Sequence, residues 1–269
     1  MKNNLVSNIM PSWNTAKFIA ESIQCVIDQT YTNWELIIVD DCSNDNTDEV
    51  VKHFLSDTRI KYLHNEKNSG AALTRNYAIR EAQGEYIAFL DSDDLWMPDK
   101  LEKQVRFMKE HGYVLSYHEY EKIGEDGRRL NIYVSGPDIV NKQRIYNYDY
   151  IGQLTMMYSA THFGLIQIKD IKKNNDYAIR LQLYKKDGNT EAHLLKQNLA
   201  KYRVRKNSIS HDKLSKKLRS HYDLFKYCDE RPRIVALWFA CRNMLYGELK
   251  KRDYEKNNSE DDKQYMQSY

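Results

Sequence analysis

The chain is poor in glycine, and the ten it has form neither GxGxxG nor GxxxxGK. Without such a loop there is no backbone cradle for a dinucleotide pyrophosphate or a triphosphate, which disfavours nicotinamide and ATP chemistry. A nucleotidyltransferase meets the same objection. The four cysteines, Cys25, Cys42, Cys228 and Cys241, form no CxxC pair. No zinc framework is visible, and they read as reduced thiols of a cytoplasmic protein. Long apolar runs are missing too. The first one is interrupted at Asn8 and stopped at Pro11, too early for a signal peptide or a spanning helix, so the expected location is the cytosol. There is no internal repeat and no low-complexity tract. No reading motif accompanies the basic C-terminal text, so nucleic acid is not an expected partner.

What is present is an ordinary globular composition: 269 residues, 41% hydrophobic and 29% charged, with an unusual 21 tyrosines. That length buries a real core and suits one enzyme-sized domain with a helical extension. The net charge is only +3, but residues 201–252 hold fifteen Lys and Arg against five Asp and Glu. A local excess of that kind calls for a local partner.

The first two-fifths alternate strand and helix text. Residues 5–10, 34–40, 60–63 and 86–90 are short, nearly continuous apolar runs. Between them lie helical patterns: one with Phe18, Ile19, Ile23, Val26 and Ile27; one opening at Asn46 or Thr47 and reaching Phe54 and Leu55; and one over 71–82, ended by Gly84. This order predicts an α/β fold, a mostly parallel sheet with helices on both faces. A helix with Pro98 as its first residue follows and ends near Gly112. Residues 114–123 and 130–135 flank a Gly-Glu-Asp-Gly turn as a hairpin. The stretches 154–158 and 163–168 read as strands, a helix starts at Asn175 or Asp176 and runs to about Lys186, and 199–204 gives a last strand. From Asp212 to about Lys251 the text is helical, interrupted near Arg231-Pro232, and from Asp253 on it reads as a frayed polar tail. The expected units are a catalytic domain over 1–211, with a nucleotide-binding half 1–112 and an acceptor-binding half 113–211, and a basic amphipathic helical extension over 212–269.

The strongest chemical signal is Asp91-Ser92-Asp93-Asp94, which follows the strand at 86–90 directly. In a parallel sheet, ligands bind beyond the carboxyl ends of the strands. Two carboxylates two residues apart at that edge suit a hard divalent cation held against a diphosphate; an acidic turn capping the helix at Pro98 is the plainer alternative. Asp40-Asp41 ends a neighbouring strand, so two strands deliver acids to one edge. Unneutralised, that cluster repels itself, so a metal or donors from a ligand should satisfy it. Asp41 suits a bond to a base N–H, or else an N-cap for the helix at Asn46. Trp13, after Pro11-Ser12, offers an aromatic face for a flat base, unless it is a core ring.

These pieces, together with Val6 through Asn14, Ile37 through Ser43, Asn68 through Asn76 and Asn175-Asp176-Tyr177, resemble the family 2 glycosyltransferases of the GT-A fold. The resemblance is to the kind that build bacterial capsule, teichuronic acid and other surface polysaccharides, and it covers most of residues 4–210. It implies an inverting, metal-dependent hexosyl transfer, using Mn²⁺ or Mg²⁺, from a UDP-hexose or UDP-N-acetylhexosamine to a hydroxyl of a glycan or lipid-linked oligosaccharide. It assigns Pro11, Trp13 and Asp41 to the uridine and places Arg75 near the nucleotide, Arg75 otherwise pairing with Asp93 or Asp94. Asp91 and Asp93 become the DxD pair about Ser92, with Asp93 the more direct metal ligand, and Asp176 becomes the general base unless it is only a helix cap. Arg203 or Arg205, in the loop that runs on to Ser210, would fold over the diphosphate. A catalytically silent nucleotide-sugar-binding subunit of an assembly complex is the alternative, which intact Asp91, Asp93 and Asp176 oppose. The chain departs from the family at Asn8, at Trp13 where Tyr is usual, and around residues 150–162, which leaves the acceptor least specified. Beyond the loop, residues 234–240 form an apolar run among Lys and Arg, suited to lying in a membrane interface or to docking on the domain or on a second subunit as a homodimer.

Overall fold

The computed structural model describes residues 1–205 and 214–257. Its strands are β1 (Lys2–Ser12), β2 (Trp34–Asp40), β3 (Ile60–His64), β4 (Gly84–Phe89), β5 (Leu95–Trp96), β6 (Leu115–Ile123), β7 (Arg129–Val134), β8 (Ile139–Val140), β9 (Met157–Ser159), β10 (Ala192–Arg203) and β11 (Glu255–Asn257). The helices are α1 (Ile19–Ile27), α2 (Thr47–Lys52), α3 (Ala71–Arg80), α4 (Lys100–His111), α5 (Lys142–Asn147), α6 (Ala160–Phe163), α7 (Asn175–Lys186), α8 (Leu214–Asp223) and α9 (Arg233–Tyr254).

All the strands belong to one mixed sheet, ordered β11-β7-β6-β9-β4-β1-β2-β3, with β10 beside β6. β3, β2, β1 and β4 run parallel, and β9 joins β4 antiparallel. Strand alternation sorts the core into two faces. Ile9, Ile37, Val39, Ile87 and Phe89 point to one side, where α3, α7 and part of the C-terminal helices cover them. Val6, Met10, Leu36, Ile38 and Ala88 point to the other, under α1, α2 and α4. Burial on both faces is why these strands read as unbroken apolar runs.

The extension is not a separate appendage. Leu224, Phe225, Cys228 and Ala236 share a core cluster with Tyr177, Ile179 and Leu181 of α7. The expected boundary near 211 and the polar end of the chain lie outside the described residues, as do Lys206 to Ser210 and the helix start at Asp212. Nor does the chain fray at Asp253: α9 continues to Tyr254, and β11 then pairs antiparallel with β7.

Other expectations need correction. Residues 163–168 are not a strand. α6 ends at Phe163, and the backbone of Ile168 is satisfied by one side chain: Asn76 Nδ2 donates to its carbonyl at 2.7 Å and Oδ1 accepts its N–H at 3.0 Å. An amide on α3 thus replaces a ladder and lets buried Ile166 and Ile168 pack without one. Of the 154–158 stretch only Met157 and Tyr158 are strand, in β9, preceded by a 3₁₀ turn over Gln153–Thr155. α2 stops at Lys52, short of Phe54 and Leu55, and α4 begins two residues after Pro98. β10 starts seven residues before the expected Leu199. Gly84 opens β4 rather than closing α3, because a Cβ there would lie 2.5 Å from the Leu5 carbonyl of β1.

Candidate active site

The carboxyl ends of β1, β2 and β4 open on one cleft of about 830 Å³. Its walls include all ten singled-out residues: Pro11, Trp13, Asp41, Arg75, Asp91, Ser92, Asp93, Asp176, Arg203 and Arg205. Trp13 is 55% exposed, so its ring belongs to the cleft and not to the core.

The acidic pair ending β2 is satisfied by the chain itself. Asp40 accepts the Ser43 N–H at 2.8 Å and its hydroxyl at 2.5 Å. Asp41 accepts Asn65 Nδ2 at 2.6 Å, the Ser69 N–H at 2.7 Å and the Gly70 N–H at 2.8 Å. No outside donor is needed. Asp41 therefore does not cap α2; it fastens the loop that leads into α3, where Gly70 adopts φ 82°, open to glycine at little cost. A carboxylate has about four acceptor positions, so Asp41, with three taken, keeps one.

Beyond β4, the acids divide. Asp91 is paired by Arg75 Nη2 at 2.8 Å, while the other terminal nitrogen of Arg75 bonds Asn175 Oδ1 at the start of α7. Arg75 thus pairs with neither Asp93 nor Asp94. Asp93 faces Arg205 Nε at 2.9 Å. Burial pushes the Asp93 carboxyl up, against the pull of Arg205, and Asp91 adds to the rise. Asp94 is buried outright, and burial followed by repulsion from Asp93 and Asp91 holds it well above the usual carboxylate range. Ser92 is buried between them.

Arg203 occupies a different place from the one expected. Its guanidinium is buried, donating to the carbonyls of Asp93 at 2.9 Å and Glu125 at 3.2 Å and to Glu21 Oε2 at 2.7 Å, while its own N–H reaches Asp94 Oδ1 at 2.8 Å. It clamps the acidic loop. Arg205, more exposed, lines the cleft beside it with its guanidinium on Asp93.

At the other end of the cleft, Asp176 sits in the first turn of α7 with its side chain 43% exposed. It makes no cap, because the residue at the N-cap position is Asn174. Arg180, one turn on, donates to Asp176 at 3.1 Å, to Gln153 at 2.6 Å and to Asp149 in a two-pronged pair. Desolvation raises the Asp176 pKa, but Arg180 and Arg75 pull harder and leave it below the ordinary value. The site is therefore built to keep this carboxylate ionised.

Sequence reasoning missed Arg180 and Asp149, and gave Asn175 no partner. The Asp176 to Arg180 spacing of four on a helix was a usable signal; Asp149, far off in the chain, left none. It also missed Lys217, His221, Met244 and Lys251, through which the C-terminal helices close the far wall. Among the described residues, no group of three or more His, Cys, Asp and Glu forms a metal cage.

A sequence model of the family described as Glycosyl transferase family 2 matches residues 7–173. TuaG of Bacillus subtilis (strain 168), a glycosyltransferase assigned to teichuronic acid biosynthesis, is 42% identical over 210 residues, 78% of this chain and 82% of its own. WfgD of Escherichia coli, a UDP-Glc:alpha-D-GlcNAc-diphosphoundecaprenol beta-1,3-glucosyltransferase, is 36% identical over 258 residues, 96% of this chain and 99% of its own. Among solved structures, S. aureus TarS 1–349 in complex with UDP-GlcNAc superposes with a TM-score of 0.70 at 19% identity, covering 92% of this chain and 74% of that one. The fold is GT-A.

Proposed function

The chain belongs to glycosyl transferase family 2, and we propose that it moves one sugar, with inversion at the anomeric carbon, from a UDP-sugar to a hydroxyl of a lipid-linked oligosaccharide during bacterial surface polysaccharide synthesis. The observation that carries this reading is the cleft itself. It joins crowded carboxylates at the β4 end to an ionised, half-exposed Asp176 at the α7 end, with Arg75 bonded to both sides. The names of the relatives support the donor and acceptor classes: WfgD takes UDP-Glc and a diphosphoundecaprenol-linked sugar, and TarS was solved with UDP-GlcNAc.

On this reading Trp13 stacks on the uracil beside Pro11, and the remaining acceptor position of Asp41 takes the base N–H. Arg205 meets the diphosphate, and Arg203 keeps the acidic loop in place for it. The donor set suits Mn²⁺ or Mg²⁺, because such ions need only one or two protein carboxylates, and Arg205 already stands as the cation on Asp93. Asp93 and Asp91 would hold the ion, which when bound stabilises the leaving diphosphate as a Lewis acid. Asp176 accepts the proton of the attacking hydroxyl; its depressed pKa keeps it ready to do so throughout the neutral range.

Calorimetric titration with UDP, GDP and CDP, with Mn²⁺ and then with chelator, tests the donor half. Selective, metal-dependent UDP binding is expected. No nucleotide binding under any condition would remove the intact-enzyme reading and leave a partner-dependent subunit.

A further inference from the structure

The helix α9 has two kinds of free face. Its inner side, Ala236, Ala240, Asn243 and Gly247, is buried against the body of the protein. Met244, Glu248 and Lys251 border the cleft. Beside them lies a third strip. Ile234, Leu237, Trp238, Cys241 and Leu245 recur at helical spacing, which aligns them on one side of the helix over about three turns. These side chains face solvent: Ile234 is 85% exposed, Trp238 62% and Leu245 64%. A row of large apolar groups left in water is costly and marks a docking surface.

We infer that this strip seats on an anionic lipid surface. Charge complementarity selects the occupant. The helical stretch that carries and adjoins the strip, residues 214–252, holds ten Lys and Arg against four Asp and Glu. Arg233 is exposed at its start, and α8, packed on α9, exposes Lys216, Lys217 and Arg219. An apolar stripe with an indole among exposed cations is the makeup of a helix that lies in the headgroup region rather than crossing it. No helix among the described residues is long and apolar enough to cross a membrane. The same helix borders the cleft, so seating the strip sets the far wall of the site against the bilayer. Only the consequence that a lipid-linked acceptor is delivered there rests on the transfer reading; the docking itself does not.

Flotation of the full chain with phosphatidylglycerol vesicles, with phosphatidylcholine vesicles and with neither tests it, using the parent and the Ile234→Ser/Trp238→Ser variant. The parent should float with the anionic vesicles, less so in high salt, and the variant should lose about tenfold or more in partitioning. Equal thermal melts for the two proteins establish that the variant is folded without recourse to any ligand. Flotation that the variant does not weaken, or none by the parent, overturns the inference. A parent that sediments as a dimer, which the variant dissociates, and that ignores vesicles assigns the strip to a second copy instead. Neither result bears on UDP binding, so failure here and failure of the transfer reading are separately visible.

Discussion

Arg75 of α3 and Asp91 at the end of β4 are joined at 2.8 Å, and the same guanidinium bonds Asn175 in the first turn of α7. One buried side chain therefore ties the β4 edge of the cleft to the helix that carries Asp176. Replacing it by Arg75→Met leaves Asp91 without its partner and Asp176 without one of its two guanidinium neighbours. A hydrogen bond to a charged group contributes about 1.5 to 3 kcal/mol; with Asp91 partly exposed, the lower end is expected, read by urea denaturation.

Asp93 and Asp176 should fail differently. Asp93→Asn removes metal-dependent UDP binding and with it transfer. Asp176→Asn leaves UDP affinity at the parent value in calorimetry and lowers turnover by about 10² to 10⁴. Turnover at the parent rate in Asp176→Asn would falsify the base assignment.

Asp176 owes its low pKa mainly to Arg180, so removing that guanidinium should weaken the hold. Arg180→Gln alone strands Asp149 in a buried position, so the informative variant is Arg180→Gln/Asp149→Asn, which removes both charges. Its acid limb of kcat against pH should move to higher pH than the parent's, with UDP affinity unchanged. A merely structural role for Arg180 would leave that limb where it was.

His118 of β6 is buried with no partner on Nε2, and burial, with Lys100 nearby, pushes its pKa down to about 3. The unfolded chain binds this proton near the ordinary value of about 6.5 while the folded chain does not. Stability is therefore lost as pH falls from 6.5 towards 3, by about 2 kcal/mol between pH 6.5 and 5. Denaturant melts at those two pH values should show a smaller drop for His118→Gln than for the parent.

The parallel strands were legible because both their faces are buried, and the acids were legible because they end those strands. What escaped has physical reasons. Residues 163–168 have the apolar content of a strand, but their backbone is served by the Asn76 amide, which periodicity does not see. The middle of β10 does not alternate because its pairing with β6 shifts register between Leu195 and Asn198 and again between Asn198 and Lys201. Asp149 and Arg180 meet through tertiary folding alone, 31 residues apart. Arg203 looked like a free loop cation, and nothing local foretold Glu21 as its partner.

β10 carries a consequence for rearranging this protein. Its last part pairs with β5, just past the acidic loop, and with β6 on the other side, while its Arg203 clamps the carbonyl of Asp93. The seam expected at residue 112 is thus no place to exchange modules. A chimaera that borrowed another chain's residues after 112 would inherit a foreign clamp on its own acidic loop, so the two parts of the chain can only be exchanged together.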